Sequence, residues 1–508
     1  MISLLLEKLN SAMTFQRIVI LAILCLTAAL PSSPRGAHGT EKSSIIFPTD
    51  DATWLDIRKS GYAHVDKTEY LERMLDGVRK CYFITRPRRF GKSIFIQMAQ
   101  EFFLGNKEVF KGLKIHKRGN AVFFKNSPGV DRLRLKKKWI PCPIISLDFR
   151  VFEGIDTYEQ FKAQYRKIIE CIAEDNGISD YTSPGFTIST LICELWSKFQ
   201  LPVVVLIDEY SFPIERALYQ IQNRTSGTIL ATEIRIFFDS FFGCIKSAVG
   251  KNYIRFVFVT GVSRMGLQAL ESGGNIFKDL TYDRAFATAF GFTEEEIRKN
   301  LLRPEVAEEF QLGNETTTKE EKIDLLMTAL KNMYDGYNFT IQNGKKGDNV
   351  FNPISTIECL RTTNLESHWC STGSLEVIVA KIYFTKSHLD DFEKYQADCE
   401  EITIKRNPIT ENIPLEIQML VYGYLTILDY NQDTDKVTLS FPNTEIRTAL
   451  KNGLMAYKPN ERDFLAVKAE WISALNLHMS TGHVQAAMES LTRAFLVKYV
   501  LTNIVPRC

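Results

Sequence analysis

The sequence predicts an α/β fold in which a parallel sheet is covered by helices on both faces and is followed by a mostly helical region. Four short apolar runs have the length and uniform character of buried strands: residues 81–85, 143–148, 201–207 and 256–259. Apolar side chains recur at helical spacing between them, in residues 158–172 and 187–199. Strands that alternate with helices favour a parallel sheet. A fifth strand is predicted at residues 285–290.

The loop after the first strand is the most informative segment of the chain. It joins residues 81–85 to a helix-like run at 94–103 and consists of Arg86, Pro87, Arg88, Arg89, Phe90, Gly91, Lys92 and Ser93. A strand, a short loop, Gly-Lys-Ser and a helix form a cradle for a nucleoside triphosphate. Loop amides point inward, the helix N-terminus is partly positive and the lysine reaches the terminal phosphates. We therefore predict a P-loop NTPase fold and assign all eight loop residues to nucleotide binding.

Three arginines occur where such loops normally carry glycine. Arg86, Arg88 and Arg89 can form paired hydrogen bonds to phosphate oxygens. Alternatively, one of them forms an ion pair with a carboxylate and has a structural role. We expect at least one phosphate contact among the three.

Two carboxylates follow the apolar run at 201–207. Ligands of open α/β sheets bind at the carboxyl ends of strands, so Asp208 is predicted to hold Mg²⁺ together with the Ser93 hydroxyl. Glu209 is predicted to orient and polarise the attacking water. The loop lysine and this acidic pair are expected to converge at adjacent strand tips.

Small polar residues also end the run at 256–259. Thr260 or Ser263 is expected to touch the terminal phosphate or the water, and Arg264 is expected to neutralise charge in the transition state. The alternative is a strand-end turn with a solvated arginine.

Together these segments resemble the AAA-ATPase-like family that is often fused to a nuclease of the PD-(D/E)xK superfamily. The resemblance spans about residues 50–450 and is carried by residues 65–70, 86–93, 207–210, 260–263, 279–281, 334–337, 351–353, Trp369, 372–373 and 442–447. It implies ATP as the nucleotide and Mg²⁺ as the metal, and it makes Arg86 part of the family pattern. The family usually has aspartate where this chain has Ser211. No Asp plus Glu-x-Lys pattern follows the last landmark, so no nuclease is predicted in this chain.

The overall charge gives no broad case for nucleic-acid binding. The 508 residues include 62 basic and 60 acidic side chains, a net charge of +2. A basic run at residues 132–138 is read as a solvated loop, with a polyanion or membrane contact as the alternative.

The N-terminus has the pattern of a secretory signal peptide. An apolar run at residues 18–30 follows Arg17 and precedes Pro31. It is shorter than the roughly 20 residues that a membrane span needs. We predict a signal peptide at residues 1–39, no span in the mature chain, and secretion or export. An intracellular protein with a misassigned start is the alternative.

The remaining chain is divided into three parts. We assign residues 40–290 to the AAA-ATPase-like domain, 291–455 to a helical lid with a winged-helix-like unit, and 456–508 to a helical tail. A capping box at Thr293 and Glu296 is expected to begin the second part. The winged-helix-like unit is a helix followed by a hairpin, for which a packing or lid role is favoured over DNA reading.

These observations predict an ATP-binding and ATP-hydrolysing protein that couples its nucleotide state to a conformational change in a protein partner, as an oligomer or a monomer. The alternative is a nucleotide-binding interaction protein or exported effector with little turnover. Glu209→Gln distinguishes the two, because only an ATPase would then retain unhydrolysed ATP.

Overall fold

The computed structural model describes residues 45–116, 139, 141–179, 181–183, 185–219, 224–264, 276–341, 349–369, 374–385, 387–403 and 413–458. All of them lie in one compact unit, Ile45–Cys508. The predicted signal peptide, the basic run at 132–138 and the tail beyond residue 458 lie outside the described residues.

The first part of this unit alternates strands with helices, as predicted. The strands are β1 (Cys81–Thr85), β2 (Ile144–Asp148), β3 (Val203–Asp208), β4 (Ile254–Gly261) and β5 (Phe277–Asp279). The helices are α1 (Trp54–Lys59), α2 (Thr68–Asp76), α3 (Lys92–Phe103), α4 (Tyr158–Asp175), α5 (Ile188–Phe199), α6 (Phe212–Tyr219) and α7 (Arg224–Gly250).

The predicted strand at residues 285–290 is wrong. Arg284–Phe286 forms a 3₁₀ helix instead, because the Asp283 carboxylate accepts a hydrogen bond from the backbone of Ala285 at 3.0 Å and begins a tight turn. The fifth strand is the shorter β5.

The five strands form one parallel sheet in the order β2-β3-β4-β1-β5. The carboxyl ends of β1, β3 and β4 therefore meet at one edge. β4 lies between β1 and β3, so the expectation of adjacent tips for the loop and the acidic pair is wrong. The reason is that strand order depends on how the helices cross the sheet, which local sequence does not encode.

Both faces of the sheet are covered. Tyr82 and Ile84 of β1 pack in a cluster with α2 and α3, whereas Cys81 and Phe83 pack in a second cluster with helices α4 to α7. The residues of β1, β3 and β4 are buried throughout, and those of the edge strand β2 are buried alternately. Burial on both faces explains the uninterrupted apolar runs in the sequence.

The second region, residues 291–455, is mostly helical. Its helices are α8 (Glu294–Asn300), α9 (Pro304–Glu309), α10 (Lys319–Tyr334), α11 (Pro353–Thr362), α12 (Ser374–Thr385), α13 (Cys399–Thr403), α14 (Leu415–Tyr422) and α15 (Thr444–Ala456). Strands β6 (Tyr395–Asp398), β7 (Thr426–Asn431) and β8 (Lys436–Ser440) form an antiparallel sheet in the order β6-β8-β7.

Two local predictions in this region are confirmed. The Thr293 hydroxyl accepts from the backbone of Glu296 at 3.2 Å, and the Glu296 carboxylate accepts from the backbone of Thr293 at 2.8 Å, which is the capping box that begins α8. The helix followed by a hairpin is α14 with β7 and β8; its likeness to a winged helix stays a prediction. Within the described residues, no helix combines the length and apolar character needed to cross a bilayer.

Candidate functional site

The loop enters α3 through Gly91, which has a left-handed backbone with φ of 87°. A Cβ built on Gly91 would meet no heavy atom within 4 Å. Glycine is therefore required for the backbone conformation and not for space. No described side chain caps α3, so the amides of its first turn are donors suited to an anion.

Lys92 lies at the centre of the loop and is almost fully buried. Its ammonium donates to the carbonyl oxygens of Arg86 and Pro87, both at 3.1 Å, and lies 3.1 Å from Glu209 Oε1. The structure thus brings together the loop lysine and the carboxylate after β3. Because an ammonium has three protons, a phosphate that binds Lys92 exchanges with one of these acceptors.

Asp208 ends β3 and is 3% exposed. Its carboxylate accepts from the Ser93 hydroxyl and, at 3.0 Å, from the backbone of Glu209. Burial, with the neighbouring charge of Glu209, raises the pKa of Asp208 to about 6, although Ser93 and Lys92 lower it. A hydroxyl and a carboxylate are the hard oxygen ligands that Mg²⁺ prefers. The residues present therefore fit magnesium.

The magnesium site would be completed from outside the protein. Among the described residues, no group of three or more His, Cys, Asp and Glu side chains is arranged to hold a metal. Magnesium in phosphoryl-transfer sites commonly has one or two protein ligands and takes the others from phosphates and water.

Glu209 adopts an unusual backbone conformation. Its φ is 49°, and Arg89 in the loop has a φ of 65°. Non-glycine residues rarely adopt the left-handed region, and such strain often occurs at functional sites. The ion pair with Lys92 holds the Glu209 carboxylate against the loop.

Asp148 and Arg150 belong to the site although they were not assigned to it from the sequence. Asp148 ends β2 and pairs in register with Asp208. Arg150 binds Asp148, and its Nη2 lies 3.9 Å from Asp208 Oδ2. Hydrogen bonds to Asp148 raise the pKa of Arg150. In the sequence, the feature that could have identified this pair is the aspartate at the carboxyl end of the predicted strand at 143–148.

The hydroxyls of Thr260 and Ser263 both have protein acceptors. Thr260 donates to the carbonyl oxygen of Ile84 at 2.9 Å, and Ser263 donates to Glu215 Oε1 at 2.6 Å. Glu215 was not assigned to the site from the sequence. Burial raises its pKa, while the Ser263 and Ser211 hydroxyls lower it. Ser211, the departure from the family pattern, therefore binds Glu215.

Arg264 forms an ion pair with Asp279 of β5 and lies 5.6 Å from the centre of the Tyr282 ring. β1 separates β5 from β4 in the sheet. The observed partners of Arg264 are thus on the β5 side of the loop, whereas Glu209 is on the β3 side. A catalytic role for Arg264 stays a prediction.

Arg86 is 1% exposed and is held by groups of the fold. It donates to the carbonyl oxygens of Thr85 and Thr281, both at 2.8 Å, and of Phe286 at 3.1 Å. Its guanidinium also lies 4.3 Å from the centre of the Phe339 ring. Burial lowers the pKa of Arg86 to about 9, so it is still charged at neutral pH. The structural partners are carbonyls and an aromatic ring, not the carboxylate considered from the sequence.

Pro87 and Phe90 pack against the second region. The Phe90 ring meets Tyr337 edge to face, with 4.8 Å between ring centres. Gly423 ends α14 so close to Pro87 that an added Cβ would lie 2.7 Å from Pro87 Cβ.

Arg88 and Arg89 contact the same region through its backbone and one indole. The Trp369 indole donates to the Arg88 carbonyl oxygen at 3.4 Å, and the Arg89 guanidinium donates to the His368 carbonyl oxygen at 3.4 Å. The nearby charge of Arg88 also lowers the pKa of Glu215. Phosphate contacts by these arginines stay predictions.

Comparison with known proteins gives two similarities. Residues 52–271 match the model of the family described as "Predicted AAA-ATPase". The chain is also 26% identical over 416 residues to an "Uncharacterized protein in vnfD 5'region" of Azotobacter chroococcum mcd 1. That similarity covers 80% of this chain and 70% of the relative.

Proposed function

Since residues 52–271 match the model of the AAA-ATPase-like family, we propose that this protein binds ATP with Mg²⁺ at the carboxyl ends of β1 and β3 and hydrolyses it. The observation that carries the proposal is the meeting of Lys92 with Glu209 at 3.1 Å, beside the hydrogen-bonded pair of Ser93 and Asp208. A cation, a hydroxyl and two carboxylates at one sheet edge are the groups that phosphoryl transfer requires.

Each group has a distinct task. The amides that follow Gly91 and the ammonium of Lys92 bind the phosphates. Ser93 and Asp208 would hold Mg²⁺, which would supply positive charge against the negative charge of the phosphates. Glu209 accepts a hydrogen bond from the attacking water and takes its proton. The ion pair with Lys92 positions the Glu209 carboxylate and opens when Lys92 turns to phosphate.

The residues at the end of β4 and just after it have supporting tasks in this proposal. Thr260 and Ser263 help to order the loop and the Glu215 side chain through the hydrogen bonds described above. Arg264 pairs with Asp279 through Nη2, so a contact with phosphate would use its other guanidinium donors or exchange with Asp279.

We further propose that the loop transmits nucleotide state to a protein partner through the second region. Its support is that Pro87 and Phe90 pack directly on Gly423 and Tyr337. A loop that tightens on phosphate would then shift the residues packed on it.

The test uses the purified full chain, a fluorescent ATP analogue and a phosphate-release assay with and without Mg²⁺. We expect Lys92→Ala to weaken nucleotide binding about 100-fold, because charge-assisted hydrogen bonds to phosphate are lost. Glu209→Gln should keep binding and slow hydrolysis by about 100-fold or more. Lys67→Ala is the matched control, since Lys67 is a half-buried lysine whose ammonium pairs with Glu296 at 2.7 Å and donates to the Thr288 carbonyl oxygen, not to a loop residue.

The outcomes separate the functions. Equal background hydrolysis in the wild type, Lys92→Ala and Glu209→Gln would exclude ATP hydrolysis as the function. A nucleotide-binding interaction protein would then be the remaining proposal. Equal nucleotide affinity in Lys92→Ala and Lys67→Ala would show that the nucleotide does not bind at Lys92.

A further inference from the structure

Several sequence landmarks that the proposed function does not use lie together in the second region. The Asn443 side-chain amide donates to the Asp335 carbonyl oxygen at 2.8 Å. Gly336 has a φ of 97°, and a Cβ added there would lie 2.0 Å from the Pro442 carbonyl oxygen. The landmarks at 334–337 and 442–447 therefore pack backbone against backbone, which leaves no room for a side chain at Gly336.

Glu445 is the centre of this cluster. Its side chain is completely buried in the first turn of α15. One oxygen, Oε1, accepts from the backbone of His368 at 2.7 Å, from the backbone of Trp369 at 3.0 Å and from the Ser355 hydroxyl at 3.1 Å. Burial raises the pKa of Glu445, and these hydrogen bonds lower it. A single carboxylate oxygen thus joins three segments that are distant in sequence.

Two of the backbone groups fixed by Glu445 belong to the residues that contact the phosphate-binding loop. His368 and Trp369 meet Arg89 and Arg88 at 3.4 Å each. Hydrogen bonds of this length are weak individually. Trp369 is nevertheless 1% exposed, and its ring lies 5.0 Å from that of Tyr424. The contact therefore depends on where the His368–Trp369 backbone is held more than on either bond.

We infer that Glu445 is a positioning residue for the phosphate-binding loop: by binding the amides of His368 and Trp369, it holds the surface against which Arg88 and Arg89 rest. The consequence for nucleotide affinity rests on the proposed function, whereas the order of the loop does not. Glu445 is expected to set the conformation of the loop without touching the nucleotide.

The inference predicts that acceptor geometry matters and that charge does not. Glu445→Gln keeps a side-chain oxygen for the three donors. Glu445→Leu has a similar volume but leaves these donors without an acceptor in a buried site. Leu326→Ala is the control for lost stability, because Leu326 is fully buried in α10 and packs in a different apolar cluster from Trp369.

Hydrogen–deuterium exchange of residues 86–93 in the full chain measures the order of the loop. At a temperature at which all variants are folded, Glu445→Leu should raise this exchange about tenfold. It should also weaken binding of a fluorescent ATP analogue about five- to tenfold. Glu445→Gln should stay within about twofold of the wild type in both. Leu326→Ala should lose stability while its loop exchange stays at the wild-type level.

If Glu445→Leu does not fold, Glu445→Asp replaces it, since this change keeps a carboxylate but withdraws its oxygens from the three donors. Faster loop exchange in Glu445→Asp supports the inference, and wild-type exchange overturns it. Equal loop exchange in Glu445→Leu and Leu326→Ala also overturns it. A wild-type protein that binds no nucleotide, with faster loop exchange in Glu445→Leu, removes the proposed function and leaves the positioning role.

Discussion

The two halves of the loop at residues 86–93 differ in what surrounds them. The second half, Gly91 to Ser93, is next to the carboxylates of Asp208 and Glu209. The first half, Arg86 to Phe90, is next to backbone carbonyls and aromatic rings, most of them from residues beyond 280. One half has the partners of a reactive site, and the other has the partners of a protein core.

This difference shows that the arginines of a basic loop need not all be ligands of a proposed phosphate site. A buried guanidinium can be satisfied by carbonyl oxygens and an aromatic face without any anion. In this chain Arg86 takes the place that glycine usually has in such loops and anchors the loop to the fold. Substitutions in the two halves should therefore have different effects.

The largest stability effect should come from the first half. Arg86→Ala should lower the free energy of unfolding by about 3 kcal/mol, because three buried carbonyl oxygens lose their donor and a cavity remains. Urea unfolding of the wild type and Arg86→Ala measures this change in the free energy of unfolding. Arg86→Lys keeps a charge but lacks the planar fork, so it should also be destabilising. Unchanged stability and weaker ATP binding in Arg86→Ala would contradict this difference between the two halves of the loop.

A smaller effect, of opposite sign, is expected in the second half. The raised pKa of Asp208 means that its contribution to stability is present at low pH and is lost as pH rises through about 6. Without magnesium at pH 8, Asp208→Asn should therefore raise the free energy of unfolding by about 2–3 kcal/mol. Near pH 3 the gain should disappear, because the wild-type carboxyl is then protonated in both the folded and the unfolded protein.

Urea unfolding in a chelating buffer at both pH values measures this effect, and added Mg²⁺ with ATP should stabilise the wild type but not Asp208→Asn. A variant that is less stable than the wild type at pH 8 would show that Asp208 is a structural group, like Arg86.

The smallest effect is expected from a comparison of two glycines with almost the same backbone conformation. Gly423 has a φ of 85° and Gly91 has a φ of 87°. Alanine at either position should cost about 1 kcal/mol for the left-handed backbone. Gly423→Ala should cost about 1–2 kcal/mol more, because its Cβ meets Pro87. Thermal unfolding measures both. Equal losses would mean that the contact between α14 and the loop is loose.

The central strands could be predicted from the sequence because they are buried on both faces and read as unbroken apolar runs. β5 could not, since it has only three residues and none of them is fully buried. The apolar residues at 285–290 have the composition of a strand, but the Asp283 side chain begins a 3₁₀ turn there. The order of the strands follows from helix crossings and is absent from local patterns.

The candidate site was predictable where its chemistry is local. Gly-Lys-Ser and Asp-Glu each follow a strand, so both were expected at the same sheet edge. The partners of Arg86 were not predictable, because Thr281 and Phe286 are 195 and 200 residues away in sequence. Backbone carbonyls also have no signature in a sequence, so a structural arginine and a phosphate-binding arginine look the same there.

The strand order has a consequence for how Lys92 meets Glu209. β1 and β3 are not neighbours, and strands two positions apart in a sheet are separated by about 10 Å. Lys92 reaches Glu209 because it begins α3, which follows the end of β1 and packs against β3, beyond the tip of β4. At that tip stands Gly261, where a Cβ would lie 2.9 Å from the Tyr210 ring. The path of α3 over the sheet is therefore as important to this ion pair as the charges of Lys92 and Glu209.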